Sequence, residues 1–188
     1  MSATMSHSLA LFSIVASSFT AGAKLAWSLV SFPALLGTLG SLPEAAALDI
    51  WYHTFDHGFL MVAPLTLVSG MVCLVNAYLA HSRGSGSTST GLLFLAGLAN
   101  IGITPVTFAF GVDVNAELHL RRATHGKKDT SHDARLRSGV RGTTPSQQAL
   151  GVASTAEVLR RWALLNGVRA LLPLTGALLV CGCLLLEV

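Results

Sequence analysis

The chain has 188 residues, of which 52% are hydrophobic and only 11% are charged, and its mean hydropathy is +0.61. Because soluble domains carry about 25% charged residues, this composition excludes an ordinary soluble domain and indicates an integral membrane protein. The net charge of +3 does not indicate nucleic-acid binding, since the basic residues concentrate in residues 121–141, where no aromatic residue accompanies them.

Four apolar segments predict an all-α fold, a four-transmembrane-helix bundle that forms a single membrane domain over residues 1–188. The segments cover about residues 8–39, 48–81, 90–120 and 155–186. Each exceeds the roughly 20 residues needed to cross hydrocarbon, and their continuous apolar runs favour helices over a membrane barrel. No Lys or Arg precedes Lys24, so we interpret the first segment as a span rather than as a cleaved signal peptide.

Lys24 lies in the middle of the first predicted helix. An ionisable group at membrane depth is costly and usually faces the interior of the bundle. One interpretation is a side chain that reaches an interface or pairs with a carboxylate, and the other is an internal charge in a pocket. The residue types do not decide between them.

The second predicted helix begins with the stretch WYHTFDHGFLMVAP, residues 51–64. His53 and His57 are four residues apart and share a helix face, and Asp56 is three residues from His53. The histidines and aromatic residues suit a membrane interface. A histidine near a carboxylate also suits a general base, and two histidines at this spacing suit a metal. The three interpretations stay open at this point.

The third predicted helix contains Pro105 in mid-span, which frees a backbone carbonyl and can kink the helix. Polar residues gather near its end: Asp113, Asn115, Glu117 and His119. A helix end that enters water explains Glu117 and His119. Asn115 is less easily explained in this way.

Residues 121–148 are predicted to form a polar, basic and partly disordered loop. By the positive-inside rule this loop is cytosolic, and with four spans both termini lie on the opposite side. After it, Ser154 and Glu157 have the spacing of a capping box, which predicts the start of the fourth helix.

The fourth predicted helix carries Trp162, Asn166 and Arg169 on one face. Arg169 lies about 12 Å deeper than Arg161 along the helix, and an arginine at that depth needs a partner. The candidate partners are a carboxylate, in an ion pair that locks the bundle, backbone carbonyls, water or an anionic ligand.

Each of the four predicted helices carries its own short pattern of residues. They are Ala21, Gly22, Ser28 and FPALL in the first; Trp51, His57 and Pro64 in the second; Pro105, Thr107, Asn115 and Leu118 in the third; and Trp162, Leu165, Asn166 and Arg169 in the fourth. In these patterns the chain resembles the DUF1772, or anthrone oxygenase-like, family of small membrane proteins.

The resemblance implies a monooxygenase of polyketide secondary metabolism that converts an anthrone to an anthraquinone with O2, without an organic cofactor or a metal. The expected partners are a small aromatic polyketide and membrane lipid, and no nucleic acid. We predict His57 as the base, His53 as the second candidate and Asp56 as an orienting group. The predicted oxyanion donors are Arg169, Asn166 and Asn115, and the predicted substrate pocket is lined by Trp162, Trp51, Thr107 and Phe108.

Two other functions stay open. One is a metal-dependent membrane enzyme that uses His53 and His57 with His119 or Asp56. The other is a non-catalytic membrane carrier or assembly protein, in which Arg169 and Lys24 are structural or line a path.

Overall fold

The computed structural model describes residues 3–125 and 145–186, and the regular secondary structure in these ranges is helical. The elements in chain order are α1 (Ala3–Ala26), a π-helical segment (Trp27–Ser31), α2 (Phe32–Thr38), α3 (Glu44–Ser82), α4 (Ser87–Ile101), α5 (Ile103–Phe110), α6 (Val112–Thr124), α7 (Pro145–Val152) and α8 (Thr155–Leu186).

Four stretches are long and apolar enough to cross a membrane: Met5–Thr38, Glu44–Ser82, Ser87–Phe110 and Thr155–Leu186. They confirm the predicted all-α class with four transmembrane helices, and they are compatible with an integral membrane protein. The orientation of the termini and loops stays a prediction, as does the single domain.

The third predicted helix is wrong as one continuous element. The helix is interrupted at Gly102 and again at Gly111, so its polar end forms a separate helix, α6, which continues to Thr124. Pro105 explains the first interruption, because its ring lacks an N–H and clashes with the carbonyl four residues earlier.

The predicted loop of residues 121–148 is also wrong at both ends, since α6 extends into it and α7 begins at Pro145. Arg121 stabilises this arrangement through its guanidinium group, which bonds to Glu117 at 2.7 Å and to the carbonyls of Leu150 and Ala153 at 2.9 and 2.7 Å. Residues 126–144, with the predicted disorder, lie outside the described residues.

The start of α8 follows the predicted capping box. The Ser154 amide donates to Glu157 Oε2 at 2.7 Å, and the Glu157 amide donates to Ser154 Oγ at 3.3 Å. These bonds satisfy amides that lack partners inside the helix. The helix therefore begins at Thr155, where the sequence places it.

The described chain contains two compact units. Unit 1 comprises residues up to Leu25, Gly58–Thr104 and the chain from Val168; unit 2 comprises Ala26–His57 and the described residues within Pro105–Gly167. Small and aliphatic residues form the core of unit 1, including Ala77, Ala96 and Val180. The core of unit 2 is rich in large rings, including Trp51 and Trp162.

Close glycine contacts join the helices of unit 1. A Cβ atom on Gly97 of α4 would lie 3.0 Å from the Gly70 carbonyl of α3 and 2.6 Å from the side chain of Leu74. Nearby, Ser17 donates a hydrogen bond to Asn100 Oδ1 at 3.0 Å. Small residues and side-chain hydrogen bonds of this kind are typical of helix contacts within membranes.

Candidate active site

An aromatic cluster in unit 2 surrounds a buried histidine; we use this name for Trp51, Tyr52, Phe55, His119 and Trp162. The imidazole of His119 is fully buried. Its ring centroid lies 4.9 Å from that of Trp51, 5.3 Å from Phe55 and 5.9 Å from Tyr52, all in edge-on geometry. The cluster thus places one basic side chain among three flat apolar surfaces.

A second polar group, Asn115, meets the same cluster one helical turn before His119. Trp162 Nε1 donates to Asn115 Oδ1 at 3.0 Å, and the Trp162 ring lies 6.3 Å from that of Trp51. Because an indole nitrogen can only donate, this bond fixes which end of the Asn115 amide faces Trp162. The amide NH₂ of Asn115 therefore faces elsewhere.

The local sequence explains why these side chains meet. Asn115, His119 and Arg122 recur at i, i+4 and i+7 on α6, which puts them on one face, and all three are buried. The Arg122 guanidinium lies 3.7 Å from the centre of the Tyr52 ring and bonds to Asp49 at 2.9 Å. This ion pair and cation–π contact hold α6 against α3.

The π-helical segment contributes a further contact to unit 2. Ser28 Oγ donates to the Ala163 carbonyl of α8 at 2.7 Å, and a Cβ atom on Gly167 would lie 3.5 Å from Ser28. Short π-helical insertions often occur at functional sites. Here the π-helical segment itself lies against the stretch of α8 that carries Ala163 and Gly167.

The histidines that the sequence favours are not in this cluster. His53 and His57 are exposed, their ring centroids are 6.4 Å apart, and His57 Nδ1 lies 2.7 Å from the His53 carbonyl. Asp56 is half-buried. Their proposed roles as base and orienting group stay predictions.

The other predicted site residues are divided between the two units. Asn166 is buried in unit 2, where Thr107 is half-buried and Phe108 is 68% exposed, so Phe108 is not part of the aromatic cluster. Arg169 is buried in unit 1, which also contains Lys24. The predicted approach of Arg169 to His57 and Asn115 stays a prediction.

The prediction that His119 lies at a helix end in water is wrong, because His119 is fully buried. Tyr52 was predicted only as an interfacial aromatic residue, and Arg122 only as part of the basic loop. The available signal was the spacing of Asn115, His119 and Arg122, which is that of one helix face. Within the described residues, no group of three or more His, Cys, Asp or Glu side chains is arranged to hold a metal ion.

Most of the chain is similar in sequence to known proteins. The family model described as anthrone oxygenase matches residues 51–179. Anthrone oxygenase encC of Aspergillus fumigatus is 30% identical over 163 residues, which cover 84% of this chain and 82% of the relative. An anthrone oxygenase of Emericella nidulans is 28% identical over 185 residues, which cover 90% of this chain and 93% of the relative.

A third relative is monooxygenase hypC of Dothistroma septosporum, which is 24% identical over 166 residues covering 88% of this chain and 77% of the relative. No solved structure matches the chain. The region that the family model matches begins at Trp51 and includes both Asn115 and His119.

Proposed function

The chain belongs to the anthrone oxygenase family and is an oxygenase, and we propose that it oxidises a polyketide anthrone to an anthraquinone with O2. The substrate class comes from the names of the relatives. The observation that supports it most is the aromatic cluster, since rings of Trp51, Trp162 and their neighbours suit a flat polycyclic substrate.

The overall reaction converts the anthrone methylene and O2 to a carbonyl group and water. A base removes a proton from the anthrone methylene, and the electron pair of the broken C–H bond spreads into the ring system and its carbonyl oxygen. The carbanion reduces O2 and forms a C–O bond, which gives a hydroperoxide after protonation. Loss of the second methylene proton and cleavage of the O–O bond release water and leave a carbonyl group. One oxygen atom of O2 enters the quinone and the other becomes water.

We propose that this sequence proceeds without an organic cofactor, because the delocalised anion is itself a strong enough reductant for O2. The protein then has to supply a base, a donor for the developing oxyanion and an apolar slot. O2 dissolves better in hydrocarbon than in water, so transmembrane helices such as α3 and α8 are a suitable place for the reaction.

The donors proposed for the oxyanion are Asn115, Asn166 and Arg169, all of which are buried. The Trp162 bond to Asn115 Oδ1 supports this role for Asn115, because it leaves the amide NH₂ directed away from Trp162. A donor that is fixed before the reaction needs no reorganisation when charge develops. The base assignment of His57, with His53 second and Asp56 as orienting group, stays a prediction.

Oxygen uptake by the purified protein with emodin anthrone tests the proposal. We expect the wild type to exceed the spontaneous rate, and Arg169→Ala to lower kcat by about 100-fold, as for loss of one positioned oxyanion donor. Arg160→Ala is the matched control, because Arg160 lies on the same helix and is exposed. Wild-type uptake at the spontaneous rate would contradict the activity, and equal rates in both arginine variants would contradict the role of Arg169.

A further inference from the structure

His119 differs from the other histidines of the described residues. Among the histidines within residues 3–125 and 145–186, it alone is buried, and the others are exposed. Burying an imidazole is less favourable than burying a phenyl ring of similar size, because its nitrogens lose water. A position that served only to fill the space between Trp51, Tyr52 and Phe55 would be served better by an apolar residue.

Trp51, the nearest ring to His119, supplies a second observation. Its side chain is fully buried, and its indole N–H has no hydrogen-bond acceptor in the described part of the chain. A buried Trp normally finds a partner for this group, and leaving it without one is costly. An oxygen atom of a bound ligand would supply the missing acceptor.

The pairing of these two groups matches what an anthrone presents. The methylene that loses a proton and the carbonyl oxygen that gains charge lie at opposite corners of one six-membered ring. His119 offers a proton acceptor, and Trp51 offers a donor whose ring centroid is 4.9 Å from that of the imidazole. We expect a substrate ring that enters the cluster to meet both groups.

We propose that His119 is the general base of the reaction and that the Trp51 indole N–H stabilises the oxyanion. This inference rests on the proposed anthrone oxidation. In the first step an imidazole nitrogen of His119 takes the methylene proton, the C–H bond breaks, and its electron pair moves toward the carbonyl oxygen, which accepts a hydrogen bond from Trp51. The proton on the imidazole then passes to the peroxide that forms when the carbanion reacts with O2.

Phe55 is the most exposed member of the aromatic cluster. Within the cluster Trp51, Tyr52, His119 and Trp162 are buried, whereas Phe55 is only half-buried. The Phe55 ring stacks on Trp51 at 5.5 Å and meets His119 edge-on. A substrate that replaces Phe55 in this stack would keep the contact with Trp51 and bring its own ring against the imidazole.

The proposal is tested by proton exchange in the absence of O2. In anaerobic D2O buffer with detergent, mass spectrometry follows the exchange of the emodin anthrone methylene. We expect the wild type to accelerate exchange and His119→Gln to reduce that acceleration by about 100-fold, as for loss of a general base. His81→Gln is the matched control, because His81 is exposed at the end of α3, and it should exchange like the wild type. Size-exclusion chromatography establishes that each variant is folded.

Two further variants retain His119 and keep the test decisive if His119→Gln does not fold. Trp51→Phe should slow exchange at saturating substrate by about tenfold, as for a weakened oxyanion donor. Phe55→Leu should change KM while kcat stays close to that of the wild type. Unchanged kinetics in both variants would overturn the proposed site.

The outcomes separate this inference from the proposed function. If the wild type accelerates neither exchange nor oxygen uptake, the proposed function fails and the base assignment with it. If the wild type is active and a folded His119→Gln exchanges at the wild-type rate, only the assignment of His119 fails. Loss of exchange in His57→Gln but not in His119→Gln would place the base on α3 instead.

Discussion

The two units of the molecule bring helices together in different ways. In unit 1 the contacts are made by small residues: Gly97 faces the Gly70 carbonyl, and a Cβ atom on Gly176 would lie 2.2 Å from Asn100 Nδ2. In unit 2 the contacts are made by large rings that also meet polar side chains: Trp51 contacts both His119 and Trp162 edge-on.

This difference suggests that one set of contacts stabilises the fold and the other binds the substrate. Backbones in close contact leave no space for a ligand, so the glycine contacts of unit 1 serve stability. Edge-on ring contacts such as those of unit 2 can be exchanged for contacts with a flat substrate. We therefore assign the glycine contacts of unit 1 to the scaffold and the ring contacts with the substrate to unit 2; Arg169, which lies in unit 1, remains a proposed oxyanion donor.

The largest expected effect is a loss of stability in unit 1. Gly97→Leu forces a side chain against Leu74 and the Gly70 carbonyl, and overpacking of this severity should lower the free energy of unfolding by about 3 kcal/mol. Gly91→Leu is the control on the same helix, since a Cβ atom there meets nothing within 4 Å. Thermal unfolding in detergent measures both, and a Gly97→Leu protein as stable as Gly91→Leu would contradict the close contact.

The second effect is a loss of activity without a loss of stability in unit 2. The double variant Asn115→Leu, Trp162→Phe removes both partners of a buried hydrogen bond, a change that is nearly neutral for stability. We expect kcat/KM to fall by about 100-fold, because the positioned amide donor is lost. Oxygen uptake and thermal unfolding give the two values. A variant that is active, or one that is inactive only because it unfolds, would contradict the assignment of the substrate contacts to unit 2.

The smallest effect is expected from a polar pair in unit 1. Asn76 Oδ1 accepts a hydrogen bond from Ser6 Oγ at 2.6 Å, and Asn76 Nδ2 donates to the Ser6 carbonyl at 3.2 Å. Asn76→Leu should cost about 1 kcal/mol of unfolding free energy, the usual value for such a bond. The turnover of the folded fraction should equal that of the wild type. A large fall in kcat would give this polar pair a role in the chemistry and contradict its assignment to the scaffold.

Sequence patterns predicted the fold well where each local signal was uninterrupted. The capping box of Ser154 and Glu157 and the apolar run behind it placed α8 at its observed bounds. The third segment was less predictable, because hydropathy averages over Gly102 and Gly111 and does not register the breaks that Pro105 and the glycines produce.

The candidate site was predictable only in part. The family resemblance selected Trp51, Trp162 and Asn115, and the structure brings these three together. His119 was considered only as a possible metal ligand, because a histidine near a helix end has the same sequence signature whether it meets water or aromatic rings. Its burial depends on which face of α6 packs on α3, and that is set by the tertiary contact of Arg122 with Asp49 and Tyr52.

The most direct test of the assignment of the substrate contacts to unit 2 is to map where the substrate binds. A diazirine-bearing analogue of emodin anthrone, activated by light in the purified protein, would mark its neighbours for peptide mass spectrometry. We predict labels on the unit 2 parts of α3 and α8 and on α6, and their loss when unlabelled emodin competes. Labels confined to residues 3–25, 58–104 and 168–186, which belong to unit 1, would contradict the assignment of the substrate contacts to the aromatic cluster.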